Sequence, residues 1–514
     1  MLAARSTKVV CTWLIALSVA TGAHAQSQKK SGSATSAEQK TARYFESIRN
    51  QPLLLHAFLQ SMPKGGDLHN HLSGAVYAES MIQWAAQDGL CIDRGSLSLI
   101  QPPCDPASNK PAATVALKDP VLYQQLLDAF SMRQFHAGAE SGHDHFFATF
   151  GKFGAATYNH TAEMLAEVRS RAAEDHLQYM EIMFNPDGGA SSKIGLALGW
   201  NDDFSKMRDQ LLSNGLPQAV ADASKFLDET EKKEKEEMRC GEPEAAAGCN
   251  VQVRYLYQVS RGLAKEIVFA QILAGFEMAM KDPRVMGLNL VMAEDWYVPV
   301  HDFNLHMKIL DFLHGLYPKV HVTLHAGELT PQIVPPEDLF HIRASIETGH
   351  AERIGHGVDV MQEPDPEALL RMMAQQHILV EICLTSNDVI LNVTGIHHPL
   401  PIYLKFGVPV ALATDDEGVS RGDITQEYER AAETYHLSYL ELKKFARASL
   451  VYSFLPGENL WKDPAKGARS PACAVENPKA DKITANCSKL LSSSEKAQQE
   501  WALEKAFSQF ESSF

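Results

Sequence analysis

Val320-His321-Val322-Thr323-Leu324-His325-Ala326-Gly327-Glu328 is the stretch that decides the fold. An apolar, alternating run ends on a histidine, and a carboxylate follows three residues later, as in a strand that delivers polar groups at its end. Seven similar runs, rich in Val, Ile, Leu and aromatics, flank it: Asp67 to Leu72, Leu177 to Phe184, Val251 to Val259, Val285 to Val291, Arg353 to Gly357, Ile378 to Leu384 and Val408 to Thr414. Helix-length segments separate them. Strands alternating with helices predict a parallel sheet, and eight such units predict an α/β fold of the (β/α)8 TIM barrel kind. Three further polar clusters then sit at strand ends: His69-Asn70-His71 on the first, Gly355-His356-Gly357 on the sixth and Thr414-Asp415-Asp416 on the eighth. The C-terminal ends of the strands are where such barrels keep their active sites.

Each cluster is weak evidence by itself. The chain has 21 histidines, so a His-x-His pair occurs by chance, and two adjacent carboxylates are more often a solvated turn or a helix N-cap. Their shared position at predicted strand ends makes coincidence a poor explanation. Residues two apart on a strand face the same way, so His69 and His71 can offer two imidazoles to one ion. Asp415 and Asp416 face opposite ways, which lets one meet a metal and the other a substrate.

With 514 residues, 45% of them hydrophobic and 21% charged, the chain can bury a large core. Arg5 and Lys8 precede an apolar stretch from Val9 to Ala20, and Ala23-His24-Ala25 has the small-x-small pattern of a signal-peptidase site. The reading is a signal peptide over residues 1–25, cleaved after Ala25, and a periplasmic or secreted protein. That stretch is shorter than the roughly 20 residues a membrane span needs, so no anchor is expected after cleavage. Removing those two cations takes the formal charge from -16 to -18, a surface that disfavours nucleic acid as a partner. Cysteine usage fits export: Cys91 with Cys104, Cys240 with Cys249, and Cys473 with Cys487 are sequence-local candidate disulfides. Cys383 lies in an apolar run and reads as a buried, inert thiol.

The expected organisation is a linker and helix over residues 26–61, a barrel over 62–455 and a C-terminal extension over 456–514. Three segments are too long for ordinary crossovers, the third being the C-terminal tail from Pro456. Residues 76–176, with Phe146-Phe147, read as a largely helical lid. Residues 188–250 carry Glu229 to Glu237, an alternation of Glu and Lys that reads as a solvated helix face with i,i+4 pairs. The amphipathic stretch Ala497 to Phe510 is expected to pack on the barrel, with a homodimer contact as the alternative.

These motifs together resemble the adenosine deaminase family of the amidohydrolase superfamily, in particular its exported, growth-factor-type members. The resemblance is carried by Met62-Pro63-Lys64-Gly65-Gly66-Asp67-Leu68-His69-Asn70-His71-Leu72-Ser73-Gly74-Ala75, His325-Ala326-Gly327-Glu328, Arg353-Ile354-Gly355-His356-Gly357, Cys383-Leu384-Thr385-Ser386-Asn387 and Thr414-Asp415-Asp416. It implies one Zn2+ per chain held by His69, His71, His325 and Asp415. It implies hydrolytic deamination of a purine nucleoside, adenosine and its 2′-deoxy form foremost, to inosine-type product and ammonia. Glu328 then protonates N1 and shuttles the proton, His356 orients the attacking oxygen, and Asp416 meets N7. Ser73, Gly74 and Met292 fall around the substrate. Two-metal relatives carry a bridging lysine at the end of strand four, whereas this chain reads Leu290-Val291-Met292-Ala293-Glu294-Asp295, so a mononuclear site is expected. The paired cysteine ligands of the cytidine-type zinc deaminases are absent.

The departures from the family pattern point to the substrate. Ser73 replaces a carboxylate that meets the ribose 5′-hydroxyl, Met292 replaces a glycine facing purine N3, and Glu417 replaces a proline. Adenine or an N6-substituted purine is the alternative substrate. A metal-dependent amidohydrolase acting on a C–N bond outside purines, or a non-catalytic binding protein, are readings from other classes.

Overall fold

In a computed structural model describing residues 36–464, 467–480 and 482–514, eight parallel strands follow one another around a barrel. They are β1 (Gly65–His71), β2 (Leu177–Phe184), β3 (Gln252–Ser260), β4 (Val285–Val291), β5 (His321–Ala326), β6 (Arg353–His356), β7 (Leu379–Ile382) and β8 (Val410–Leu412). The leader expected at residues 1–25 lies outside the described residues. Each strand pairs with its sequence neighbour, and the register sets His325 beside Gly355 and Ala326 beside His356. Closure comes from β1 and the end of β8. The His71 N–H donates to the Asp415 carbonyl (3.2 Å), and the Asp415 N–H donates to the His69 carbonyl (2.8 Å). The backbone that seals the barrel thus belongs to candidate ligands. The last strand is shorter than its apolar run predicts, and beyond it Asp415, at φ +60, bridges to Asn70 of β1.

Helices surround the strands where the sequence supplies caps and apolar faces. Tyr439–Val451 starts at a capping box made by Ser438 and Glu441, which satisfies two otherwise orphaned backbone donors. Lys265–Lys281 is buried along most of its length, as expected of a crossover helix packed on strands and neighbours. At the lower end of the barrel Arg353 reaches Glu181 and Glu381, both at 2.6 Å and all three almost fully buried. Buried charge of this kind is tolerable only when fully paired.

The segment between β1 and β2 is a largely helical cover, with helices Ala78–Gln87, Pro120–Ala129, Gly142–Phe153 and Thr161–Glu174 and one small hairpin, Cys91–Asp93 with Ser98–Ile100. Between β2 and β3, helix Leu216–Glu237 shows the i,i+4 pairs Glu231 with Lys235 and Lys232 with Glu236. Its face is not uniformly solvated: Glu234 is 1% exposed and meets Arg169 at 2.7 Å, because this side of the helix packs on Thr161–Glu174. The C-terminal helix Glu495–Phe510 buries Leu503 and Phe507 and sits at the lower rim, where its Gln499 carbonyl accepts from Gln178 (2.8 Å). Cys91–Cys104, Cys240–Cys249 and Cys473–Cys487 are disulfides. Cys383 is free and buried, and that burial pushes its thiol well above the ordinary range. Among the described residues no helix is long and apolar enough to cross a membrane.

Candidate active site

Four ligand atoms converge where β1, β5 and β8 end. The Nε2 atoms of His69 and His71 lie 3.0 and 3.2 Å from that of His325. Oδ1 of Asp415 lies 3.5 Å from His69 Nε2 and 3.2 Å from His71 Nε2. A tetrahedral ion with bonds of about 2.0–2.1 Å sets its ligand atoms about 3.3 Å apart, so three nitrogens and one oxygen fit it. Protons on facing nitrogens cannot satisfy this arrangement.

The other side of each imidazole is held. Nδ1 of His69 donates to Glu381 (2.7 Å), that of His71 to Gln258 (3.1 Å), and that of His325 to Asn289 (2.8 Å). Each bond places the proton on Nδ1 and frees the Nε2 lone pair for a metal. The remaining oxygen of Asp415 accepts from Ser386 Oγ at 2.6 Å. Burial works to lower the His69 pKa, but Asp415 and Glu381 outweigh it and hold it up at about 10. Burial and the neighbouring imidazoles drive His325 well down.

His356 ends β6 at φ +67, fully buried. Its Nδ1 receives the amide of Asn387 (3.0 Å), whose carbonyl oxygen accepts from His398 Nε2 (3.1 Å), and His398 Nδ1 accepts the Leu400 N–H (3.1 Å). Burial keeps both rings neutral, His356 down to about 3 and His398 to about 4. The relay leaves the His356 proton on Nε2, 4.0 Å from Asp415 Oδ2 and without a partner among the described residues. His356 thus presents an unshared Nε2 proton beside Asp415 and the other two imidazoles of the cluster, outside the four-atom set.

Glu328 follows β5 with Oε1 3.6 Å from His356 Nδ1 and no hydrogen bond on that oxygen. Burial, reinforced by the carboxylates of Asp415 and Glu294, pushes its pKa well up. The turn that carries it is clamped: the backbone N–H groups of Gly327 and Glu328 donate to Glu294 at 3.1 and 2.9 Å. Glu294 is in turn held by His341 (2.6 Å), while Arg261 donates to the carbonyls of Met292 and His325. Asp416 is buried with Oδ1 unpartnered, and burial raises its pKa to about 8. A Cβ on Gly74 would lie 1.6 Å from that oxygen, so Gly74 shapes the site by leaving room for Asp416. Gly355 does the same for the His69 ring, which lies 2.6 Å from where its Cβ would be.

These groups open into a cavity of about 260 Å³, room for one small ligand. Glu328, Asp416, His71, Ser73 and Gln258 are among its polar walls, and Phe147, Phe150, Met292 and Trp296 among its apolar ones. Met292 holds φ +85, a backbone that favours glycine. Glu417 does not line the cavity, contrary to the expectation from sequence. It is buried against Arg171 (3.3 Å) and ties the cover to the end of β8. Sequence reasoning did not pick out Gln258, Asn289, Glu381, Glu294 or Arg261. Two of them, Asn289 and Glu381, are single polar residues inside apolar strand runs, a signal present in the sequence.

Residues 140–462 match the family model described as adenosine deaminase. The chain belongs to the adenosine deaminase family. Within this family, an adenosine deaminase of Escherichia coli O1:K1 / APEC is 26% identical over 393 residues, 76% of this chain and 94% of that protein. One from Escherichia coli strain SMS-3-5 / SECEC is 38% identical over 139 residues, 27% of this chain and 39% of that protein. Among solved structures, the adenine deaminase from Arthrobacter aurescens has a TM-score of 0.47 at 18% identity, covering 77% of this chain and 94% of that one. Membership makes the chain a hydrolytic deaminase of a metal-dependent family, and the His/Asp cluster is its candidate metal centre.

Proposed function

We infer that this chain is a zinc-dependent deaminase of adenosine, and of 2′-deoxyadenosine, yielding the inosine product and ammonia. The observation that carries the reading is the convergence of His69, His71, His325 and Asp415 beside buried Glu328 and Asp416 in one small cavity. Three imidazoles and one carboxylate suit zinc, which lowers the pKa of its water to about 7 when bound. Glu328, whose pKa burial pushes well up, donates its proton to purine N1, takes up the proton that the attacking water loses, and passes that proton to the departing amine. A positioned acid/base of this kind is worth about 10²- to 10⁴-fold in rate. Asp416 also stays protonated at neutral pH and offers its O–H to N7, an acceptor. His356 presents its Nε2 proton to the attacking oxygen and fixes its line of approach to C6. The aromatic residues of the cover exclude bulk water from these transfers. Three disulfides support an oxidising compartment, periplasmic or extracellular, as the place of action.

A second reading is favoured by Ser73 and Met292, which lie in the cavity in place of the family's ribose- and purine-facing residues. It keeps the chemistry and changes the substrate to adenine or an N6-substituted purine. Ammonia or amine release from adenosine, 2′-deoxyadenosine, adenine and N6-methyladenosine by the zinc-loaded protein separates the two. The first reading expects the nucleosides with a free amino group to give the highest kcat/KM. Turnover confined to adenine or to the N6-methyl compound would replace it with the second.

A further inference from the structure

A second cavity, of about 510 Å³, adjoins the catalytic one, and Ser73 and Gln258 stand in the walls of both. The Ser73 hydroxyl has no hydrogen-bond partner among the described residues, and its small side chain leaves the junction open. The family resemblance sets the 5′ carbon of a nucleoside at this residue, so whatever extends from that carbon is directed over Ser73. Both insertions build the space beyond. The cover contributes Tyr158 and Met164, and helix Leu216–Glu237, which takes no part in the metal centre, contributes Ala223, Asp222 and Phe226. Tyr158 and Phe226 are 75% and 37% exposed and form an aromatic rim. The charged groups that line the space are carboxylates, Asp187 and Asp222, and no lysine, arginine or histidine accompanies them among the described residues. Asp187 is fixed there by donors from Tyr257 (2.7 Å), Gly189 (2.7 Å) and Ser191 (3.1 Å). A phosphate would face two carboxylates with no cation to offset them. An uncharged tail would instead meet methionine and aromatic side chains.

We propose that this cavity is a subsite for an uncharged, largely apolar substituent on the 5′ carbon of the nucleoside, and that it selects against 5′-phosphates. The assignment rests on the purine deaminase reading of the same site.

Steady-state kinetics on the zinc-loaded protein test it with adenosine, adenosine 5′-monophosphate, 5′-deoxyadenosine and a series of 5′-alkylthio-5′-deoxyadenosines of increasing chain length. The expected result is a kcat/KM that rises about threefold per methylene over the first few, with the monophosphate at least about tenfold below adenosine. Phe226→Ala should flatten the chain-length series, and Asp222→Arg should raise the ratio of monophosphate to adenosine turnover. The wild-type series stands without either variant, so a variant that fails to fold does not decide the matter. Adenosine turnover with no chain-length gain, or a monophosphate used as well as adenosine, would overturn the subsite and leave the deaminase reading intact. No turnover of any of these nucleosides would overturn both.

Discussion

At the scale of single residues, the site depends on side chains held in conditions they would not adopt alone. His356 and Asp415 have positive φ, as does Met292, a backbone that is costly for non-glycine residues and recurs at functional sites. Glu328 is buried beside other carboxylates, which pushes its pKa well up. Glu328→Gln preserves its shape and removes the transferable proton. It should leave metal content unchanged and lower kcat by at least about 10²-fold, read from ammonia release and metal analysis on one preparation; wild-type turnover would remove Glu328 from the mechanism. Asn289 touches no ligand position directly exposed to the ion, yet it sets the His325 tautomer. Asn289→Ala should weaken zinc binding about 10- to 100-fold in a competition titration with a chelator. An unchanged affinity would show that the hydrogen bond does not tune the ligand. The candidate ligands were legible as a cluster in the sequence because each lies in a short local motif at the end of an apolar run. Their supports were not, since Asn289 partners His325 and Glu381 partners His69 only once the strand order is known.

At the scale of elements, the strand C-termini carry the chemistry and the long connections carry the walls. Apolar runs placed the strands within a residue or two at most ends, because buried parallel strands need near-continuous apolar sequence. Helix Gly142–Phe153 is the element whose role was least legible. Its Ser141 cap and its aromatic residues mark a helix, but only the fold shows that Phe147 and Phe150 face the catalytic cavity. It is tied down by His143, whose Nε2 meets Asp295 after β4 at 2.9 Å. Burial lowers the His143 pKa, but its bonds to Asp295 and Asp144 outweigh this and raise it, so the tie weakens as pH rises through that value. His143→Ala should cost about 1 kcal/mol of closure, seen as a KM about fivefold higher with kcat little changed. An unaltered KM would mean that the cover does not close on the substrate through this pair. The same reasoning explains Glu234: charge alternation marks a helix in solvent, and nothing local reveals that one face meets Arg169.

At the scale of the whole molecule, the number of buried acids sets the pH response. Burial raises Glu417, Glu500 and Asp416 to about 8 from ordinary values of 4.5, 4.5 and 3.8. Acids raised on folding stabilise fully below their unfolded values, and the contribution is lost as pH rises through the folded ones. The buried histidines His356, His398 and His306, lowered to about 3, 4 and 4 from 6.5, act in the opposite sense, and their effect is complete by about pH 6.5. Lys64, lowered to about 7 from 10.5, adds stability only above pH 7. Melting temperature should therefore fall between about pH 6.5 and 8. Glu500→Gln, far from the metal centre, should reduce the accompanying loss of unfolding free energy by about 1 to 2 kcal/mol; an identical loss in wild type and variant would contradict the assignment of a protonated Glu500.

The central claim is that turnover depends on one ion held by His69, His71, His325 and Asp415. It is tested most directly by stripping the protein with a chelator, returning zinc in sub-stoichiometric steps, and following bound metal and ammonia release from adenosine together. Activity should be lost on stripping and return in proportion to zinc, saturating at one ion per chain. Full activity in the stripped protein, or a fully loaded protein that releases no ammonia, would contradict the account.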